Sequence, residues 1–205
     1  MGVVLGIDCG YTPYMNKGQQ LEYDLREPFA ELDLYFAGNG ATNPDFIGSD
    51  GIGVEVKAPG GTFGQVQTPH NGERFTLCNS PRSPLLAREV TRSGILKTAS
   101  AEYDTGITQL KLEVAPKVVR AYYREKGCSY IYFGHPRFMD GKRHKGVFRL
   151  GVSDPWNLEC PMFNPAKVTL RFRYGAPKGG DRPRRSLVEL NCSGISKSFV
   201  DLLDI

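Results

Sequence analysis

Asp45, Glu55 and Lys57 are the residues of this 205-residue chain whose types and spacing best fit a chemical task. Val54 and Val56 alternate with Glu55 and Lys57, which is the period of a strand, so Glu55 and Lys57 project from one face, one pleat apart. Gly48-Ser49-Asp50-Gly51 is turn-forming and folds Asp45 back beside them. Two carboxylates and an ammonium in one corner suit a divalent cation and a water activated by it. The same spacing recurs at Asp140-Gly141-Lys142, in a polar stretch between Pro136 and His144 that reads as a loop. The alternative to a functional corner is a surface hairpin whose Glu and Lys form an exposed ion pair of little energetic value.

A strand–turn–strand over about 44–58 must hold this corner, and the rest of the chain supplies its surroundings. Residues 17–27 read as a short helix with Leu21 and Leu25 on one face, ended by Pro28. A third strand is expected over 74–78. The Ser-, Arg- and Thr-rich stretch 81–106 reads as an irregular loop that could wrap a ligand. Residues 109–115 alternate as a strand. Pro116 then opens a helix whose Val118, Val119, Tyr122 and Tyr123 share a face and which Gly127 caps. Strands follow over 130–133 and 147–152. In 168–174, Val168, Leu170, Phe172 and Tyr174 alternate with Thr169, Arg171 and Arg173, giving a half-buried strand with an arginine-bearing face. Residues 187–192 pair with it as a hairpin, and 195–203 close the chain as an amphipathic helix. This order predicts an α/β fold in one domain over 1–205, with a mixed central β-sheet flanked by helices.

Composition narrows the functional classes. The 24 Gly and 14 Pro imply a turn-rich, β-containing fold rather than a helical bundle. No apolar run reaches the length of about 18 residues that a membrane span requires. The N-terminus lacks the basic region and apolar length of a secretory signal, so a cytoplasmic location is expected. The five cysteines are isolated and the three histidines scattered, so a zinc site is not expected and the thiols read as mostly buried in a reducing compartment. Net charge is only +4, but the basic residues cluster. Lys167, Arg171, Arg173, Lys178, Arg182, Arg184 and Arg185 are opposed only by Asp181, and Arg137, Lys142, Arg143, Lys145 and Arg149 only by Asp140. Positive patches beside an acidic corner point to a polyanionic substrate.

Pro44-Asp45-Phe46 followed by Gly53-Val54-Glu55-Val56-Lys57 resembles the active-site signature of the PD-(D/E)XK nuclease superfamily. More narrowly, it resembles the MutH-related branch of type II restriction endonucleases, which typically reads Asp-Phe, a short turn, then Gly-Val-Glu-Leu-Lys. Here Val56 replaces the leucine and the turn is longer. Phe75 to Pro81 is similar to the strand after the active-site lysine of that branch. The stretch of about 167–192 is similar to its C-terminal DNA-reading hairpin.

The resemblance implies a single-domain restriction-endonuclease-like fold in a prokaryotic cytoplasm. It also implies Mg²⁺-dependent, sequence-specific cleavage of double-stranded DNA, leaving a 5′-phosphate and a 3′-hydroxyl. Asp45, Glu55 and the Val56 carbonyl would hold Mg²⁺, and Lys57 would orient the attacking water or stabilise transition-state charge. Asp50 is an alternative to Asp45. The family also carries a glutamate on the helix ahead of the Asp, which either Glu22 or Glu31 could supply. Arg173 matches a base-reading arginine; Arg182, Arg184 and Arg185 are the nearest matches for further reading residues, and Lys178 suits a phosphate contact. A monomer and a homodimer both fit. The alternatives are a strand-nicking or structure-specific repair endonuclease with the same chemistry, and a non-catalytic DNA-binding protein.

Overall fold

Both faces of the strand that carries Glu55 are covered. The structure, a computed structural model, describes residues 15–38, 42–58, 60–78, 84–103, 109–134, 144–151, 162–174 and 186–194. Strand β3 (Gly53–Lys57) lies at the centre of a five-stranded sheet with β1 (Leu34–Phe36), β2 (Phe46–Gly48), β8 (Tyr130–Gly134) and β9 (His144–Arg149), in the order β1-β2-β3-β8-β9. The β3–β8 pair is parallel and the others antiparallel, so the sheet is mixed, as expected. A parallel pair needs a crossover. Its last part is helix α5 (Lys117–Glu125), which feeds directly into β8.

Alternation along β3 divides two cores. Val54 and Val56, with Tyr130 and Tyr132 of β8, bury against Leu21 of helix α1 (Lys17–Asp24) and Phe29 of helix α2 (Arg26–Glu31). Glu55 pairs with Ile131 and faces the other way, toward a core that contains Val119 and Tyr123 of α5. A second, antiparallel sheet closes that core. Its order is β4 (Gly64–Gln67), β11 (Ser186–Ser193), β10 (Lys167–Tyr174) and β7 (Gln109–Val114), and Leu170, Phe172, Val188 and Leu190 line its buried face. The expected pairing of 168–174 with 187–192 is therefore present as β10–β11, in register from Lys167↔Ser193 to Tyr174↔Ser186; the loop between them lies outside the described residues. Among the described residues no helix is long and apolar enough to cross a membrane.

Several local expectations need correction. The stretch expected to be a loop over 81–106 contains helices α3 (Pro84–Ser93) and α4 (Ile95–Ala101), with Leu86, Val90, Ile95 and Ala99 buried. The polar outer sides of these helices masked that narrow apolar stripe, and Gly94 at φ 72° breaks the period between them. The helix expected over 17–27 is two helices joined at Leu25. Asn16 and Gln19 form a capping box at the start of α1. Pro28 sits in the first turn of α2; without an N–H it leaves the Asp24 carbonyl no i+4 partner, and α1 ends at Asp24. The third strand shrinks to β6 (Arg74–Phe75), paired only with β5 (His70–Asn71). The helix expected over 195–203 lies outside the described residues.

The end of α5 is fixed by a close approach. Gly127, at φ 78°, donates its N–H to Arg124 O at 2.9 Å, and Cys128 donates to Tyr123 O at 2.9 Å. These two bonds form a Schellman cap. The cap rests on Gly53, where a Cβ would lie 2.2 Å from Gly127 O and 2.6 Å from Pro44 Cγ. Ser129 N–H also bonds Gly53 O at 2.7 Å. A glycine at 53 thus lets α5, β3 and the residue before Asp45 meet at one point. Gly53→Ala is expected to lower the unfolding free energy by about 1–3 kcal/mol, the usual range for overpacking. Urea denaturation checks this, and an unchanged midpoint would mean that the cap does not rest there.

Candidate active site

Glu55 is only 3% exposed, and both of its carboxylate oxygens are occupied. Oε1 accepts from Lys57 Nζ, and Oε2 accepts from Lys126 Nζ at 2.6 Å. Both ammonium groups also lie over the Tyr123 ring, at 5.5 and 5.8 Å from its centroid, so the aromatic face shares their charge. Burial alone would raise the Glu55 carboxyl, but the charges and hydrogen bonds of Lys57 and Lys126 outweigh it and hold it below the usual carboxylate range. Burial likewise pulls Lys126 down, and Glu55 more than restores it.

Sequence reasoning missed Lys126. It lies 71 residues from Glu55 and ends a helix, where a lysine is ordinarily read as a partner of the helix dipole. Only the pairing of β8 beside β3 brings it to the corner.

Asp45 folds back onto β3 as the turn predicts. It is 8% exposed, and its Oδ2 accepts the Val56 N–H at 2.7 Å. Its own backbone N–H bonds Val54 O at 3.1 Å, and its C=O accepts from Ala37 at 2.9 Å. The N–H and C=O of a strand residue leave on the same edge, so the Val56 carbonyl also leaves β3 on the Asp45 side. Burial and the Glu55 charge push the Asp45 carboxyl up to about 6, against the opposing pull of Lys57, the Val56 N–H and Lys126.

Glu22 is the fourth acidic or basic member supplied by the sequence reading. It projects from α1, and burial together with the charges of Asp45 and Glu55 pushes it up to about 7, against Lys57 and Arg26. Glu31 ends α2 on the exposed side and makes no hydrogen bond or ion pair with the corner among the described residues. Asp50 is exposed in the turn, its Oδ1 accepting the Ile52 N–H at 2.9 Å. The structure therefore brings together Glu22, Asp45, Glu55 and Lys57, adds Lys126, and leaves Glu31 and Asp50 outside.

Among the described residues no group of three or more His, Cys, Asp and Glu side chains is arranged to hold a metal ion. The donors the corner offers to one are all oxygen: two carboxylates, Asp45 and Glu55, and the Val56 carbonyl. Such a hard, sparse set fits Mg²⁺, which keeps several waters of its own. Carboxylates that are raised by crowding are relieved by a divalent cation. Its entry would require one ammonium to leave Glu55. Lys57, with its side chain 16% exposed against 9% for Lys126, is the freer of the two.

The arginine-bearing face of β10 is occupied from within. Glu189, 4% exposed, takes Arg171 through Nε at 2.9 Å and Nη2 at 2.7 Å, and Arg173 Nη1 at 3.3 Å. Arg173 still leaves about half of its side chain, 53%, exposed. Lys178, Arg182, Arg184 and Arg185 lie outside the described residues. In the second basic cluster, so do Arg137, Lys142 and Arg143.

The raised carboxyls give a pH signature. An acid whose folded pKa exceeds its unfolded value holds a proton that the unfolded chain has released, so its contribution to stability is full below the unfolded pKa and lost as pH rises through the folded one. For Asp45 and Glu22 that window runs from their ordinary values of 3.8 and 4.5 to about 6 and about 7. Glu55 has the opposite sign, and its contribution is lost as pH falls. Asp45→Asn is expected to raise stability at pH 8 by about 1 kcal/mol and to flatten the loss between about pH 4 and pH 6. Thermal denaturation across pH is the check; an unaltered slope would show that Asp45 is not held in a crowded corner.

Comparison with protein-family models, with curated proteins and with solved structures finds no match to this chain, so its own geometry carries the functional reading.

Proposed function

We propose that the protein is a Mg²⁺-dependent, sequence-specific endonuclease that hydrolyses phosphodiester bonds of double-stranded DNA. The observation that supports this most is the buried convergence of Asp45, Glu55 and Lys57, with Glu22 beside them, in the corner the signature describes. Asp45, Glu55 and the Val56 carbonyl would hold Mg²⁺, which when bound supplies Lewis-acid polarisation of the phosphate and a lowered pKa for water.

The remaining roles belong to the chain's own groups. Lys126, the more deeply buried lysine, keeps Glu55 ionised and in place. Lys57, once Glu55 no longer needs its ammonium, orients the attacking water and stabilises charge gathering on the phosphoryl oxygens. Glu22, raised to about 7, is tuned to accept a proton near neutral pH. Hydrolysis leaves a 5′-phosphate and a 3′-hydroxyl. Arg173 serves base reading by exchanging Glu189 for the O6/N7 edge of a guanine, with Arg182, Arg184 and Arg185 as further readers and Lys178 on phosphate.

The test is incubation of an unmethylated plasmid with the protein and Mg²⁺. Discrete fragments are expected. Lys57→Ala, Glu55→Gln and Asp45→Asn should each lower the rate by at least about 100-fold, the scale of losing one preorganised electrostatic group. Duplex binding in Ca²⁺ should survive in all three. Conversion to open circles alone would identify a nicking endonuclease. Intact binding without cleavage under any divalent cation would leave a DNA-binding protein that is not a nuclease.

A further inference from the structure

The surface between α3 and α5 differs in character from the Glu55 corner. A groove of about 560 Å³ opens there, a size that accommodates a small organic molecule. Its apolar lining comes from Leu85, Val118, Ala121 and Met162. Arg92, Lys117, Arg120 and Arg124 bring four positive charges to it, against the single carboxylate of Glu89. Glu89 is already paired with Arg92 at 2.5 Å.

The other three cations are not neutralised by a carboxylate among the described residues. Arg120 Nη1 donates to the side-chain oxygen of Asn164 at 2.8 Å, and Arg124 Nη2 donates to the Leu150 carbonyl at 2.6 Å. Both acceptors are uncharged, so they aim the guanidinium groups and leave the charge in place. Lys117 has no ion-pair partner among the described residues. It stands at the first position of α5, which has no capping side chain and no acidic residue in its first turn. A cation at that end of a helix is repelled by the helix dipole, and an anion beside it would relieve the repulsion.

We propose that the α3–α5 groove binds a small phosphorylated ligand carrying a planar ring, of the nucleotide class. Its phosphates lie against Lys117, Arg120 and Arg124, where planar guanidinium forks match phosphate oxygens. Its ring lies on the apolar lining between the helices. The concave shape favours a small ligand over a duplex, which would need an extended surface. This site is separate from the Glu55 corner and does not rest on the nuclease reading.

Titration calorimetry of the full chain with ADP, pyrophosphate and adenosine tests the proposal. ADP is expected to bind saturably, one per chain, and adenosine at least about tenfold more weakly. Lys117→Gln and Arg120→Gln, both at the groove rim, should each weaken ADP at least about tenfold, with melting temperatures near that of the parent protein to show intact folding. No heat from ADP or pyrophosphate at millimolar concentration would overturn the proposal, as would affinities unchanged in both folded variants. Loss of duplex binding in these variants, with ADP unbound in the parent protein, would overturn it in favour of a DNA backbone contact.

Discussion

A carboxylate in the middle strand of a sheet, only 3% exposed, cannot stay ionised without partners, and among the described residues Glu55 has two ammonium groups on it. Lys57 comes from the same face of the same strand. Lys126 comes from the far side of the crossover, from the end of α5 whose cap rests on Gly53 of the same strand. The parallel pairing of β3 with β8, the glycine at their crossing and the left-handed turn at Gly127 are conditions for one ion triad. Removing either lysine would leave part of a buried charge unanswered, which is the costly way to break such an arrangement.

The corner is not balanced as a purely structural ion network would be. Two lysines hold Glu55 as an anion, while Asp45 and Glu22 are pushed up toward neutrality by burial and by neighbouring negative charge. Neighbouring carboxyls with pKa values driven apart by their surroundings are a feature of sites that handle protons or cations. The folded state tolerates this crowding because Val54, Val56 and Tyr132 bury well on the opposite face of the sheet. Preorganised oxygens at the Asp45 end, with an ammonium able to move, are what a cation-assisted hydrolysis would use.

The legible part of the sequence was local. Alternation in Gly53–Lys57 and in Lys167–Tyr174 follows from side-chain period and the turn before β3 from Gly48, Asp50 and Gly51, and each is present. Asp45, Glu55 and Lys57 were readable for the same reason. Glu22 and Glu31 could not be separated on the page, because helix-to-strand docking and the break at Leu25 decide which one faces β3. Lys126 had no one-dimensional signal at all. Helices α3 and α4 were hidden because their buried stripe is narrow and their exposed side is rich in Ser, Thr and Arg. Glu189, buried between Arg171 and Arg173, likewise becomes visible only once β10 and β11 are in register.

Paramagnetic broadening by Mn²⁺ of the backbone amide signals tests the cation-binding role of the corner most directly, because it locates even a weakly held divalent ion. The expected result is that substoichiometric Mn²⁺ first broadens the amides around Asp45, Val56 and Lys57, and that Asp45→Asn abolishes this local effect. Broadening that begins at other carboxylates, such as Glu102 or Glu113, and is unchanged by Asp45→Asn would contradict a metal centre at this site.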